Sequence, residues 1–287
     1  MEIQDMEPKH GFALQRVGFM GVKKRVHLHT PEGEIAFDLS IDVYVDIGGE
    51  RRGAHLSRNA EALLEALDAG PASRSLEEYL ESVVDKLLDK HPYATKAESI
   101  ARTHYYVDFE SSGIKRREPI RVEISVEKGK EGSRFWRVLV EVYGITVCPS
   151  AQLTVSSMAK TPPHFSPSHS QKVLLRGRIS TRGKFVRIED IARALIKGPS
   201  APAFTLLKRG EEAALIISAF RNPRFIEDAV REASYHLVDL LRGYPPDTLI
   251  EVEAVSVESI HPHNLYAYMK ATLGQLLESR SDDGKNA

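Results

Sequence analysis

Cys148 is the one cysteine of the chain, and it stands in Ile145-Thr146-Val147-Cys148-Pro149-Ser150, where a strand-like run ends and a proline turns the chain. A thiol at that point either projects into a cleft, as a ligand for zinc or ferrous iron, or lies buried and inert as free cysteines often do. Eleven histidines accompany it. His164 and His169 follow in the next segment, and His261 and His263 form a His-x-His pair in Glu258-Ser259-Ile260-His261-Pro262-His263-Asn264. Residues two apart on an extended segment point the same way. The pair therefore either lines one site, as ligands or proton carriers, or sits solvated in a loop. His27 and His29 share the spacing without any other site signal and read as surface residues.

Arg51-Arg52-Gly53-Ala54-His55-Leu56-Ser57-Arg58-Asn59 lies between a strand-like and a helix-like stretch. Cations, a serine and backbone N–H groups at a helix start suit phosphate, although short basic loops are also commonly just solvated. Leu206-Leu207-Lys208-Arg209-Gly210-Glu211-Glu212 places two carboxylates beside two cations. Asn222-Pro223-Arg224-Phe225-Ile226-Glu227-Asp228 opens a helix with acids in its first turn, where the helix dipole by itself favours them.

The elements that must position these residues follow from periodicity. Ile35, Phe37, Leu39, Ile41, Val43 and Val45 alternate with mainly polar residues, a half-buried strand over Glu34 to Asp46. Val17 to His29 joins it through Pro31-Glu32-Gly33 as a hairpin. Helices follow at Asn59 to Leu67 and after the capping box Ser75-Leu76-Glu77-Glu78, where Leu76, Tyr79, Leu80, Val83, Val84, Leu87 and Leu88 form one stripe. Strands return at Ile100 to Phe109 and Ile120 to Val126, giving the order ββααββ.

The same order runs again, with strands at Phe135 to Val147 and Gln171 to Ile179, helices at Ile188 to Lys197 and Phe225 to Leu241, and a strand at Thr248 to Val257. Asn264 to Leu277 fits a strand or a helix equally. The expected fold class is α+β: an N-terminal arm (1–14), a first module (15–130), a second module (131–277) and a disordered tail (278–287). Cys148 to His169, rich in Ser and Pro, reads as a long irregular linker of the kind that often carries function.

At 287 residues, with 39 Lys+Arg against 40 Asp+Glu, the chain can bury a large core and has no global charge to draw it to nucleic acid or an anionic membrane. One cysteine excludes an intramolecular disulfide and an all-cysteine metal cage within one chain. No apolar run nears the roughly 20 residues that span a bilayer, and the N-terminus lacks a secretory pattern, so a soluble cytoplasmic protein is expected.

In chain order these pieces resemble the GTP cyclohydrolases of type IB and their archaeal type IV relatives of the methanopterin pathway. The resemblance is carried by Gly21-Val22-Lys23-Lys24, Gly53 to Asn59, Cys148-Pro149, Ser168-His169-Ser170-Gln171-Lys172, Leu206 to Glu212, Asn222 to Asp228 and Glu258 to Asn264. It implies a bimodular tunnelling fold whose antiparallel sheets assemble into a barrel, a homotetramer with active sites at subunit interfaces, and GTP as substrate. Position by position it implies Cys148, His169 and Glu212 as ligands of one divalent metal per subunit, with iron(II) favoured over manganese or zinc. Glu227 matches the guanine anchor, and His261 and His263, with Cys148, the catalytic groups; His55, Arg58, Lys208 and Arg209 are the other implied substrate-binding residues, with the basic groups that hold the triphosphate left unassigned among them. His169 is preferred to His164 because Gln171 and a basic residue follow it. The chain departs from the family pattern at Ser150, where many members have a second cysteine, and at Gly210-Glu211-Glu212, where relatives tend to have Pro-Asp-Glu.

The expected product is 7,8-dihydroneopterin 2′,3′-cyclic phosphate with formate. The alternatives are 7,8-dihydroneopterin triphosphate, a catalytically silent pterin- or purine-binding relative, and a plain structural oligomer.

Overall fold

The computed structural model describes residues 2–30, 33–68 and 73–283. The described residues form two compact units, the first from within Met1–His104, Glu123–Arg137 and Thr181–Phe185, the second from within Tyr105–Val122, Val138–Ser180 and Val186–Ala287.

The first unit begins with β1 (Leu14–Thr30) and β2 (Gly33–Ile47), paired antiparallel from Leu14 opposite Ile47 to His29 opposite Glu34. The expected turn residues Pro31 and Glu32 lie outside the described residues. Alternation in β2 translates into burial: Leu39, Ile41, Val43 and Val45 are buried while Glu34, Ala36 and Asp38 are exposed. Helix α1 (Leu56–Asp68) packs against α2 (Leu76–Lys90), whose whole predicted stripe is buried. Ser75 caps α2 by accepting the Glu78 N–H at 3.3 Å, but Glu78 reaches back to the N–H of Arg74 at 2.8 Å, one residue earlier than a capping box requires. The start of β3 (Lys96–Ser111) and the end of β4 (Ile114–Gly129) follow, with β3 antiparallel to β2; residues 105–122 of these two strands belong to the second unit.

The second unit holds the end of β5 (Arg134–Val147), α3 (Pro149–Ala159), most of β6 (Ser170–Arg182), α4 (Ile188–Leu195), the two-residue β7 (Ala201–Pro202), α5 (Arg209–Arg221), α6 (Ile226–Leu240), β8 (Leu249–Val257), β9 (Leu265–Thr272) and α7 (Leu273–Asp283). Strands are hydrogen-bonded in the order β1-β2-β3-β4-β5-β6-β8-β9, with β7 on β5. Gly144 permits that last pairing, since a Cβ there would lie 2.9 Å from the Ala201 carbonyl oxygen. Helix α6 packs on α4 and across β8 and β9 through Ile226, Ala229, Val230, Ala233, Leu237 and Val238, all buried. The fold is α+β with antiparallel pairing throughout β1/β2, β2/β3, β5/β7, β6/β8 and β8/β9.

Three readings need correcting. The segment from Cys148 to His169 is not irregular: it contains α3 and a 3₁₀ turn at Pro163–Phe165. Pro149 starts that helix rather than turning the chain into a loop, because the first helical residue needs no N–H donor. Asn264 to Leu277 is strand first and helix after, divided at Thr272/Leu273. Helix α7 runs on through Asp283, past the expected start of the tail, and 284–287 lie outside the described residues. No helix among the described residues is long and apolar enough to cross a membrane.

Candidate active site

Cys148 leaves β5 and becomes the N-cap of α3, its Sγ accepting the Ala151 N–H at 3.4 Å. Its own N–H donates to the His169 carbonyl at 3.1 Å, and its carbonyl accepts the Ser168 hydroxyl at 2.7 Å. The chain thus departs at Cys148 and returns to the same place at His169, with α3 as the excursion between.

His169 stands immediately before β6, with Gln171 two positions on, and the side-chain amide oxygen of Gln171 lies 3.0 Å from Nδ1. With Gln171 accepting, Nδ1 carries the proton and Nε2 is the ring's electron-pair donor. Behind the ring stands Glu258, whose side chain is 1% exposed, 3.9 Å from Nδ1. That carboxylate also accepts the Ser256 hydroxyl at 2.7 Å. Sequence reasoning quoted Glu258 and Gln171 within motifs and gave neither a role. Their period-two spacing from Ser256 and His169 was the available signal.

His261 and His263 sit just after β8, both exposed, with rings stacked at 5.3 Å and 17°. His261 also meets His169 edge-on at 6.3 Å. Three imidazoles therefore form a row with the ordered ring of His169 at one end.

Helices α5 and α6 are tied to the same strand end. Val147 shares an apolar cluster with Ile114, Ala201, Leu215 and Ala219, and Phe204 and Leu207 pack against it. Gln152 donates to the Phe220 carbonyl at 2.9 Å, and the Arg224 N–H donates to the Val147 carbonyl at 3.0 Å. Glu212 stands in the first turn of α5 and Glu227 in that of α6, both exposed, as are Lys208 and Arg209. No hydrogen bond or ion pair joins Glu212 to Cys148 or His169, and no group of three His, Cys, Asp or Glu is assembled around a metal position among the described residues. The structure brings together Cys148, His169, His261 and His263, and leaves Glu212 and Glu227 facing solvent. His164 is exposed in the 3₁₀ turn, its ring tilted by 47° against that of Phe165.

In the first unit, His55 is 7% exposed and already engaged on both nitrogens: Nδ1 lies 2.7 Å from a Glu2 carboxylate oxygen and Nε2 3.2 Å from one of Asp5. Arg51 pairs with the same Asp5 and stacks on the Tyr93 ring at 3.9 Å. The hydrogen bond from His55, aided by Arg51 and opposed by desolvation, holds the Asp5 carboxyl below the usual range. Arg58 donates to the Lys90 carbonyl at the end of α2 at 3.2 Å. The N-terminal arm thus supplies carboxylates to the loop that the sequence marks for phosphate, a long-range partnership with no local signal.

Residues 1–267 match the profile of the family described as type I GTP cyclohydrolase folE2. The chain belongs to this family. It is 48% identical over 284 residues to GTP cyclohydrolase MptA of Aeropyrum pernix, covering 98% of this chain and 100% of that one. It is 32% identical over 306 residues to GTP cyclohydrolase MptA of Methanosphaera stadtmanae, covering 98% of each. Among solved structures it is similar to uricase from Arthrobacter globiformis, with a TM-score of 0.56 at 10% identity, over 90% of this chain and 92% of that one. At that identity the likeness is one of fold, and it agrees with the tunnelling fold expected of GTP cyclohydrolases.

For this GTP cyclohydrolase the donor chemistry at the strand end fits a divalent metal. Cys148 offers a sulfur, and His169 offers Nε2 with Nδ1 fixed by an outer hydrogen bond, the usual arrangement of a metal-bound imidazole. Thiolate, imidazole and carboxylate together suit iron(II), manganese(II) or zinc(II).

Proposed function

We propose that this GTP cyclohydrolase is metal-dependent, hydrolyses GTP at C8 with release of formate, and yields 7,8-dihydroneopterin 2′,3′-cyclic phosphate, the two outer phosphates leaving as diphosphate as the ring of the cyclic phosphate closes. The observation carrying the reading is the meeting of Cys148 and His169, with His169 ordered by Gln171 and followed by His261 and His263. Cys148, His169 and Glu212 would hold the metal, iron(II) being favoured; when bound, it lowers the pKa of a coordinated water so that hydroxide is supplied at neutral pH.

The chain's own residues do the rest. Glu227 accepts the N1–H and 2-amino donors of guanine together, a pair adenine does not offer, and so selects the base. His261 and His263, both exposed, move protons while the five-membered ring opens and formate leaves. Lys208, Arg209 and Arg58 are the cations proposed for the phosphates. Exposure of Glu212, Glu227, Lys208 and Arg209 in the single chain supports active sites completed at interfaces of a homotetramer.

The relatives named GTP cyclohydrolase MptA favour the cyclic phosphate. The family's description as type I favours a second reading, 7,8-dihydroneopterin triphosphate. Anaerobic incubation with GTP and iron(II), manganese(II) or zinc(II) in turn, with mass spectrometry of the pterin, separates them. A cyclic monophosphate supports the first reading and a linear triphosphate the second.

A further inference from the structure

Strand β4 reaches out of its own hairpin to grip the segment that carries Lys208, Arg209 and Glu212. Arg116 Nη2 lies 2.7 Å from both carboxylate oxygens of Glu211. Two residues along the strand, Glu118 is 8% exposed and accepts the Thr205 N–H at 3.0 Å and the Thr205 hydroxyl at 2.5 Å. Glu211 is doubly used, because it also accepts the Lys208 N–H at 2.8 Å and so closes the first turn of α5.

We propose that Arg116 and Glu118 are positioning residues of the GTP cyclohydrolase site, fixing the 204–212 segment so that Lys208, Arg209 and Glu212 are set before substrate and metal arrive. The proposal rests on the functional reading above. Leu206 is 65% exposed, so packing alone does not hold the middle of the segment. Phe204 and Leu207 pin its two sides to the apolar cluster around Val147. The two β4 side chains supply what packing lacks: direction, since a carboxylate accepting two donors of one residue and a guanidinium on both oxygens of another allow little rotation. A segment ordered in advance does not pay its conformational entropy at the moment of binding.

Three readouts on Arg116→Ala, Arg116→Lys and Glu118→Gln test this: amide hydrogen exchange across 203–212, manganese(II) affinity by equilibrium dialysis, and KM against kcat for GTP. The expectation for Arg116→Ala is faster exchange confined to the segment, with manganese affinity weakened and KM raised by about tenfold, kcat changed far less and the melting temperature nearly unmoved. Arg116→Lys keeps the charge but not the planar guanidinium, which spans Glu211 through Nη2 and the Lys115 carbonyl through Nη1, and recovers part of the effect. Unchanged exchange in both Arg116→Ala and Glu118→Gln overturns the proposal. Faster exchange with unchanged manganese affinity and KM also overturns it, leaving a purely structural clamp. A wild-type chain that forms no pterin overturns the functional reading, and this inference with it.

Discussion

Cys148 donates its backbone N–H to the carbonyl of His169 at 3.1 Å, so the whole of α3 is an excursion that begins and ends at one point. A thiol and an imidazole separated in sequence by a helix are thereby fixed by main-chain hydrogen bonding. The Ser168 hydroxyl on the Cys148 carbonyl closes the same junction a second time.

Gln171 is expected to serve the metal rather than the fold. Its side-chain amide oxygen lies 3.0 Å from His169 Nδ1, and loss of such an outer partner typically weakens metal affinity 10- to 100-fold, about the range expected for Gln171→Ala. Equilibrium dialysis against manganese(II) or zinc(II), with a melting curve as control, checks this; unchanged affinity would remove Gln171 from the site.

Glu258 is buried beside His169 and accepts from Ser256. Glu258→Gln keeps the shape and removes the charge. Pterin formation should fall by about 100-fold while the melting temperature holds, as befits a charge used in chemistry rather than packing. A large drop in melting temperature without specific loss of turnover would make it structural.

His91 gives the first unit an acid weakness. It is fully buried, its Nε2 has no hydrogen-bond partner among the described residues, and burial first, then the nearby Arg58, His55 and Arg51, push its pKa down to about 4. Between the unfolded value near 6.5 and the folded value of about 4, the unfolded chain binds a proton that the folded one refuses. Stability is therefore full above about pH 6.5, falls as pH drops through this window, and levels off below it, a loss on the order of 3 kcal/mol. Urea unfolding at a series of pH values should show this slope in wild type and lose it in His91→Gln.

Leu80 lies in the α2 stripe and is fully buried. Leu80→Ala should cost about 2–5 kcal/mol, read as a lower urea midpoint with little change in m-value.

The stripe of α2 and the alternation of β2 were legible because each presents one face to the core and one to water, which writes a period into the sequence. Helix α3 has no such period: among its residues only Gln152 is buried. Its Ser-rich sequence and the prolines beyond it look like a loop, and the helix signal rests on Pro149 at the first position. No residue of strand β9 is buried, so its alternation is weak and its junction with α7 invisible. At the site, the His261 and His263 spacing announced the stacked pair, whereas the partners of His55 lie on the distant N-terminal arm, a relationship only the fold makes.

The central claim is that Cys148 and His169 hold the metal with which GTP is opened. Wild type and Cys148→Ala should be loaded anaerobically with iron(II), assayed for bound iron, and incubated with GTP while formate is measured. The account predicts close to one iron per chain and formate release in wild type, with both lost in the variant. Full iron binding and formate release by Cys148→Ala, or no formate from wild type with iron, manganese or zinc, would contradict it.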